Sequence, residues 1–276
     1  MCFVLRCLRK RQLKGDDGMY FASLSWKEAS NLCDKYLAVL PIGSVEAHGP
    51  VGPLGTDYLI PSAIAEELEK RMTGQVLLLP TLPYGCSPFL AGFPGTIDVG
   101  FQPLLSVLNG IADGVMGCGV RKILFVNGHG GNIPSLDHAA LHIYKRGGQA
   151  ARIDWWTLSG QLNKEWLAGH GGGIETSVAM AMRPDWVRME GMFKREHAHF
   201  SEALKNIHIH EVAFGKGTVS MVRDVVDSIP SGSAGYDDAP EKACKETGER
   251  VLSAVIDYVH AFAEEFLKVD LDKVRS

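Results

Sequence analysis

The feature that most constrains the fold is the regular alternation of short apolar runs with stretches of helical spacing. The apolar runs are Tyr36–Ile42, Gln75–Leu79, Lys122–Val126 and Gln149–Ile153. The helical stretches are Pro61–Arg71, Pro103–Met116, Pro134–Arg146, Ile174–Met182 and the end of the segment Gly235–Leu267. Buried strands separated by helices are typical of parallel sheets covered on both faces. We therefore predict an α/β fold, a layered sandwich with a mostly parallel central sheet flanked by helices.

The chain reads as one domain. It has 276 residues, no internal repeat and no linker, and a single domain of this size is common. We take residues 19–276 as that domain and the stretch Ser228–Ala239 as a loop within it. The basic segment Met1–Lys14 lacks the uninterrupted apolar run of a secretory signal. Residues 1–18 are interpreted as a mobile extension or a start assigned too early, with Met19 as the true start; a short amphipathic or partner-binding segment is the alternative.

The composition of the chain argues against nucleic acid and membranes as binding partners. Hydrophobic residues are 46% and charged residues 22% of the chain, and the net charge is −4. This balance lacks the basic character that nucleic acid binding requires, and no stretch reaches the roughly 20 apolar residues of a membrane span. The six cysteines contain no CxxC pair, so we expect reduced, mostly buried thiols and a cytoplasmic location.

The segment Gly43–Asp57 follows the first apolar run and carries potential metal ligands. Glu46 and His48 lie two residues apart, so an extended segment presents both on one face. Glycine and proline turns then allow Asp57 to fold back toward them. Two carboxylates and an imidazole suit Zn²⁺, Mn²⁺ or Fe²⁺, although an ordinary loop with exposed charges and a helix-capping Asp57 explains the segment equally well.

Two further glycine-rich segments carry ionisable residues. Asn127–Asn132 (NGHGGN) follows the Lys122–Val126 run and contains His129, and Trp166–Ser177 contains His170 and Glu175. Ligands of open parallel sheets lie beyond the carboxyl ends of the strands. The segments Gly43–Asp57 and Asn127–Asn132 both fall there. Loop-capping roles remain the alternative for His129 and His170, and helix capping for Glu175.

Taken in this order, EAHGP with PLGTD, then NGHGGN, then HGGGIETS, the motifs resemble those of the creatininase (creatinine amidohydrolase) family. The resemblance runs from about residue 36 to about residue 184 and is looser beyond. It implies a layered α/β domain, often assembled as a hexamer, so a homo-oligomer is expected. It also implies that Glu46, His48, Asp57 and His129 are ligands of one or two divalent transition metal ions, with Asp57 bridging two.

The chain departs from creatininase after His129. Creatininase has Tyr and Glu there, and this chain has Gly130 and Gly131. The Glu is a ligand of the second metal, so we expect Glu175 to replace it or the second ion to bind weakly. The departure also puts creatinine itself in doubt as substrate.

The resemblance implies hydrolysis of a C–N bond in a small, cyclic amide by metal-activated water. His170 would protonate the leaving nitrogen, and Glu175, when not a ligand, would act on the water. Trp166 corresponds to a substrate-covering Trp, while Trp156 or Trp155 forms a second wall and Gly130 contacts substrate. Rival functions are hydrolysis of a formamide in a pterin- or flavin-like precursor or of a cyclic polyol ketone, a non-catalytic binding module, and phosphate binding at the NGHGGN turn.

A final cluster contains the histidines His197, His199, His208 and His210. The HIH sequence within Asn206–Val212 fits one face of a strand. We interpret these side chains as surface or subunit-contact histidines. The alternatives are an accessory metal site or a contribution to a neighbouring subunit's active site.

Overall fold

The computed structural model describes residues 19–191, 197–233 and 239–274. The predicted extension over residues 1–18 therefore lies outside the described residues, as do Cys2, Cys7 and residues 234–238 of the predicted loop. The strands are β1 (Leu37–Ile42), β2 (Val76–Leu78), β3 (Lys122–Asn127), β4 (Gln149–Asp154), β5 (Lys205–His208), β6 (Glu211–Phe214) and β7 (Gly217–Ser220). The helices are α1 (Trp26–Ala29), α2 (Thr56–Arg71), α3 (Phe101–Gly117), α4 (Ile133–Lys145), α5 (Trp155–Leu162), α6 (Gly173–Met182), α7 (Val225–Ser228), α8 (Lys245–Lys268) and α9 (Leu271–Val274).

The main sheet has the strand order β2-β1-β3-β4, and all of its pairings are parallel. Every residue of β1 and β3 is buried, as expected for strands covered on both faces. The side chains alternate between two cores. Leu37 and Val39 face a core with helices α2, α6 and α8, whereas Ala38 and Leu40 face one with α3 and α4. The predicted layered α/β fold with a parallel central sheet is confirmed.

Helix α2 begins at Thr56, five residues before the predicted start at Pro61. The proline lies inside the helix, where its missing N–H removes the bond that would otherwise reach the carbonyl of Asp57. The correction matters because it places Asp57 in the first turn of a helix rather than in a loop.

The segment around the later histidines also differs from prediction. Residues 206–212 do not form one strand. β5 ends at His208, Ile209 and His210 form the turn, and β6 runs back antiparallel. With β7 they form a three-stranded antiparallel sheet. A two-residue turn closes antiparallel hairpins readily.

Two smaller expectations are also tested. Of the four cysteines that the structure describes, Cys86 is buried and Cys33, Cys118 and Cys244 are half-buried, and all four are free thiols. The expectation of reduced thiols is met for these four, but "mostly buried" is too strong. Within the described ranges, every helix is too short or too polar to cross a bilayer.

Candidate metal centre

Glu46 and His48 follow β1 in a loop that crosses the carboxyl end of the sheet. The loop is fixed by backbone bonds from Glu46 N–H to the Leu54 carbonyl and from Gly49 N–H to the Gly232 carbonyl. Gly49 adopts a φ of 65°, which a residue with a side chain rarely does. After this loop the chain enters α2 at Thr56, and Asp57 in the first turn of that helix faces Glu46 and His48.

His129 lies just beyond β3, and its loop is tied down by two asparagines. The Asn127 side chain accepts from the His129 N–H at 3.1 Å and donates to the His129 carbonyl at 2.9 Å. Asn132 donates to the Gly43 carbonyl and accepts from the Cys86 N–H, both at 3.0 Å. The loops after β1, β2 and β3 are thereby joined at one edge of the sheet.

Five predicted ligands converge at this edge. His48 Nε2 lies 2.9 Å from Asp57 Oδ1 and 3.7 Å from Glu175 Oε2. His129 Nδ1 lies 3.1 Å from Glu46 Oε1 and 3.0 Å from Asp57 Oδ2. All five side chains are buried, Glu46 with no exposed surface.

Each histidine has one nitrogen committed to a backbone carbonyl. His48 Nδ1 donates to the Glu46 carbonyl at 3.1 Å, and His129 Nε2 donates to the Cys86 carbonyl at 2.9 Å. A carbonyl only accepts, so in the neutral ring the other nitrogen is bare. In both histidines that bare nitrogen faces carboxylates, an arrangement that requires a proton or a cation between them. Ligating histidines are oriented in this way.

The carboxylates are similarly incomplete. Both oxygens of Glu46 and Oδ2 of Asp57 are buried and accept no aligned hydrogen bond from the described residues. Ligand atoms lie within 4.8 Å of one another in the set Glu46, Asp57 and His129, and in the set His48, Asp57 and Glu175. Asp57 belongs to both sets. Buried carboxylate oxygens without aligned hydrogen bonds, beside imidazole nitrogens that face them, fit a divalent transition metal, and the shared Asp57 fits a pair of ions.

Without metal, the site holds protons. Burial lowers the pKa of His48, but the charges of Asp57, Glu175 and Glu46 outweigh it and raise that pKa to about 10. Burial acts in the same sense on His129, and Glu46 and Asp57 raise its pKa well above the ordinary value. Burial raises the pKa of Asp57, but His48 and His129 outweigh it and hold that pKa below its usual range. Opposite charges in low dielectric produce such shifts.

His170 lies beside this cluster and differs from it. Its Nε2 donates to the Ala47 carbonyl at 2.8 Å, and its Nδ1 lies 3.6 Å from Glu46 Oε1. The ring centroid is 4.5 Å from that of His48. With His48 and Glu46, His170 forms a third possible ligand set. Burial and then the charge on His48 lower the pKa of His170 to about 4, so the ring is neutral at pH 7.

Glu175 lies in the first turn of α6 and faces both the turn before that helix and His48. Its Oε2 accepts from the Gly171 N–H at 2.7 Å, in the turn that precedes α6. The same oxygen faces His48 Nε2. Gly171 adopts a φ of 60° and packs against the His48 backbone, so the helix start and the β1 loop are locked together.

A cavity of about 560 Å³ opens beside the cluster, within the range of ligand pockets. Gly130, Trp156, His170 and Glu175 line it, as predicted. Trp166 does not. It packs against the core next to α8, with the Arg250 guanidinium 5.7 Å from its ring.

The cavity also has walls that sequence reasoning missed. The loop after β2 forms one wall with Cys86, Ser87, Pro88, Phe89 and Leu90. The β5–β6 turn forms another with His208, Ile209 and His210. The sequence between residues 83 and 100 is rich in proline and glycine and follows β2. Its length and its place after a parallel strand were signals of a functional loop.

Comparison with known proteins agrees with this geometry. The family profile "Creatinine amidohydrolase" matches residues 22–263. A "mycofactocin precursor peptide peptidase" of Mycobacterium ulcerans (strain Agy99) is 30% identical over 226 residues, 79% of this chain and 81% of that protein. A "3-dehydro-scyllo-inosose hydrolase" of Thermotoga maritima is 25% identical over 275 residues, 91% of this chain and 84% of that protein.

The fold is that of a solved creatinine amidohydrolase. Its crystal structure superposes with a TM-score of 0.71 at 23% identity, covering 92% of this chain and all of that one. The profile covers most of the chain, and the site motifs lie inside it. The protein therefore belongs to the creatininase family.

Proposed function

We propose that this protein is a metal-dependent hydrolase that cleaves a C–N bond in a small amide. The carrying observation is the buried cluster of bare imidazole nitrogens and unpartnered carboxylate oxygens, with Asp57 common to two ligand sets. Glu46, Asp57 and His129 would hold one ion, and His48, Asp57 and Glu175 the other. Glu175 thus supplies the carboxylate that Gly131 does not. When bound, such ions lower the pKa of water toward neutrality and polarise a carbonyl.

Zinc and manganese are the metals we favour, because related structures are described as a zinc form and a manganese form of creatininase. Iron was included in the sequence prediction on ligand type alone. The nitrogen and oxygen donors of this site suit all three.

His170 is assigned the proton transfers. Its Nε2–H is fixed on the Ala47 carbonyl, so its bare Nδ1 accepts a proton from the attacking water. The resulting imidazolium then passes the proton to the leaving nitrogen, which departs as the amine. Trp156 and Gly130 contact the substrate on the cavity wall.

A peptide C–N bond is a second candidate. The cavity of about 560 Å³ is lined by apolar side chains such as Phe89, Leu90 and Phe101, which is more space than a single small ring needs. The relative in M. ulcerans is named a peptidase. The inosose hydrolase name keeps a cyclic polyol ketone as a third substrate class. The homo-oligomer and the cytoplasmic location stay predictions.

Elemental analysis and a substrate panel test the proposal. The purified protein should hold up to two transition metal ions per chain, and one of four matched substrates (cyclic amide, formamide, short peptide, cyclic ketone) should be hydrolysed. His129→Ala and Asp57→Ala should lose metal and at least about 100-fold in activity, more than an outer-shell change costs, with unchanged circular dichroism. Glu175→Gln should keep one ion. Full activity in His129→Ala or Asp57→Ala, or a wild-type protein free of transition metal, would reject the assignment.

A further inference from the structure

The β5–β6 hairpin brings a second set of histidines to the cavity. His208 ends β5, and Ile209 and His210 form the turn, and all three residues line the same cavity as Glu46, Asp57 and Glu175. The sequence interpretation placed His208 and His210 on the surface or at a subunit contact. In the structure His208 is exposed, in keeping with that interpretation, and His210 is half-buried, and both line the cavity of the same chain.

The hairpin tip is anchored rather than loosely placed. Ile209 packs on a small core that contains Leu90, Val225 and Ile229. The Met221 N–H donates to the His210 carbonyl at 2.9 Å. The first contact holds the turn against Leu90 in the loop that follows β2, and the second joins the turn to the residue after β7.

That loop connects the hairpin to the metal centre. The His210 ring lies 4.6 Å from the Phe89 ring, and two residues earlier Ser87 Oγ lies 3.3 Å from His129 Nε2. Ser87 is buried and its hydroxyl also pairs with Ser44 at 2.6 Å. The cavity wall therefore runs without a break from the ligand cluster to the hairpin tip, and one bound molecule can contact both.

The hairpin offers hydrogen-bond donors. Burial and then the charge on His208 lower the pKa of His210, so its ring is neutral at pH 7. Its Nδ1 is buried and has no hydrogen-bond partner among the described residues. A proton on Nδ1 would have no acceptor, so it resides on Nε2, which is left to donate. The described lining contains no Lys or Arg, and its carboxylates belong to the ligand cluster.

We propose that His208 and His210 bind a hydrogen-bond-accepting group of the substrate, while Phe89 and Trp156 pack on its apolar part. This inference rests on the proposed function. It narrows the substrate class to an amide that carries an apolar segment and a second carbonyl or carboxylate group, and it makes the hairpin a specificity-determining element.

Hydroxamates of increasing chain length test the inference, because the hydroxamate anchors one end on a transition metal. Three series would share the same polymethylene spacer and end in methyl, carboxamide or carboxylate. At one spacer length, an acceptor-tailed compound should inhibit at least about tenfold more tightly than its methyl-tailed match, the value of one good hydrogen bond. In the His208→Ala/His210→Ala double variant this preference should vanish, with the inhibition constant of the methyl-tailed compound unchanged.

Two further variants separate recognition from packing. His210→Phe keeps a ring against Phe89 but removes the donor, so it should lose the preference with an unchanged melting temperature. Thr218→Ala, on the exposed strand β7 of the same small sheet, should keep the preference.

Two results would overturn the inference. One is an absence of tail preference at every length in a protein that binds the methyl series, and the other is a preference that survives in both histidine variants. A protein that holds no metal and binds none of the hydroxamates would instead reject the proposed function, and this inference with it.

Discussion

At the scale of single residues, the site is organised by which nitrogen of each imidazole is already used. Backbone carbonyls take one nitrogen of His48, His129 and His170. For His48 and His129 the other nitrogen faces carboxylates directly, and the site holds a proton or a metal ion there. For His170 the bare nitrogen is 3.6 Å from a carboxylate and stays unprotonated at pH 7. Three histidines of one cluster thus divide into two whose free nitrogens face carboxylates, as the proposed metal ligands require, and one neutral ring, which suits the proposed base.

This division predicts that metal binding releases protons. His48, with a pKa of about 10, and His129 are protonated in the metal-free protein and must be neutral to ligate. About two protons per chain should leave at pH 7.5 when both ions bind, and affinity should rise with pH until it approaches 10. Calorimetric titration with metal in buffers of different ionisation enthalpy measures this number.

In the metal-free protein, the free energy of unfolding should fall as pH rises toward 10, whereas metal affinity rises. The folded-state pKa of His48 is raised and that of Asp57 is lowered, so the pair stabilises fully between their unfolded values of 3.8 and 6.5 and loses this contribution as pH rises through about 10.

For the metal titration, the control is His142→Gln, which changes a surface histidine paired with Asp113. This variant should release the same number of protons as the wild type when metal binds. A metal-binding enthalpy that is independent of the buffer would contradict the predicted proton release.

At the scale of elements, glycines at strand ends allow α2 to approach the sheet. A Cβ on Gly43 would lie 2.1 Å from the Asp57 carbonyl oxygen, and one on Gly128 would lie 1.8 Å from it. The structure shows that Gly43 and Gly128 make room for the backbone of a ligand-bearing helix.

Gly128→Ala should therefore push α2 away and displace Asp57. We expect a loss of about 1–3 kcal/mol in unfolding free energy, as for overpacking elsewhere, together with a lower metal content. Gly130→Ala is the matched control, because its Cβ would meet only Trp156 Cζ2 at 4.0 Å. It should keep its metal and its melting temperature. Denaturant unfolding and elemental analysis of the two variants make the comparison, and equal metal content in both would show that the close approach is not required.

Sequence reasoning located these elements well where one signal dominated. Runs such as Lys122–Val126 are apolar throughout and have no competing pattern, and β3 extends that run by one residue. The start of α2 was misplaced because Pro61 resembles a helix start, whereas here it is tolerated inside the helix. The β5–β6 turn was missed because HIH has strand periodicity and lacks glycine, the usual signal of a tight hairpin.

At the scale of the whole molecule, the site forms where four separate segments meet at one edge of the sheet. These are the loops after β1, β2 and β3 and the start of α6. The order β2-β1-β3-β4 places the loops after β1, β2 and β3 side by side. The parallel pattern predicted that edge, and the motifs and the family resemblance placed Glu46, His48, Asp57 and His129 there; the structure brings these four side chains together, and their role as metal ligands stays a proposal. The contribution of Cys86–Leu90 and of the β5–β6 hairpin depends on long-range packing, which local spacing does not encode. Trp166 was misplaced for the same reason, since its packing against the core beside α8 is a tertiary contact.

A centre that joins these loops should also stabilise the folded chain as a whole. Without metal, the buried carboxylates of Glu46 and Asp57 are compensated, among the described residues, by the protonated His48 and His129. An ion that binds the native state alone at 100 times its Kd contributes about 2.7 kcal/mol. At about 2–4 °C per kcal/mol for a chain of this size, removing one ion should lower the melting temperature by about 5–10 °C. Calorimetric scans before and after dialysis against a chelator, with metal then restored, measure the effect. Asp57→Asn, which removes the shared ligand charge, should melt at the same temperature with or without chelator. A wild-type protein that contains metal and melts unchanged after its removal would show that the four segments are held together by their backbone and asparagine contacts alone.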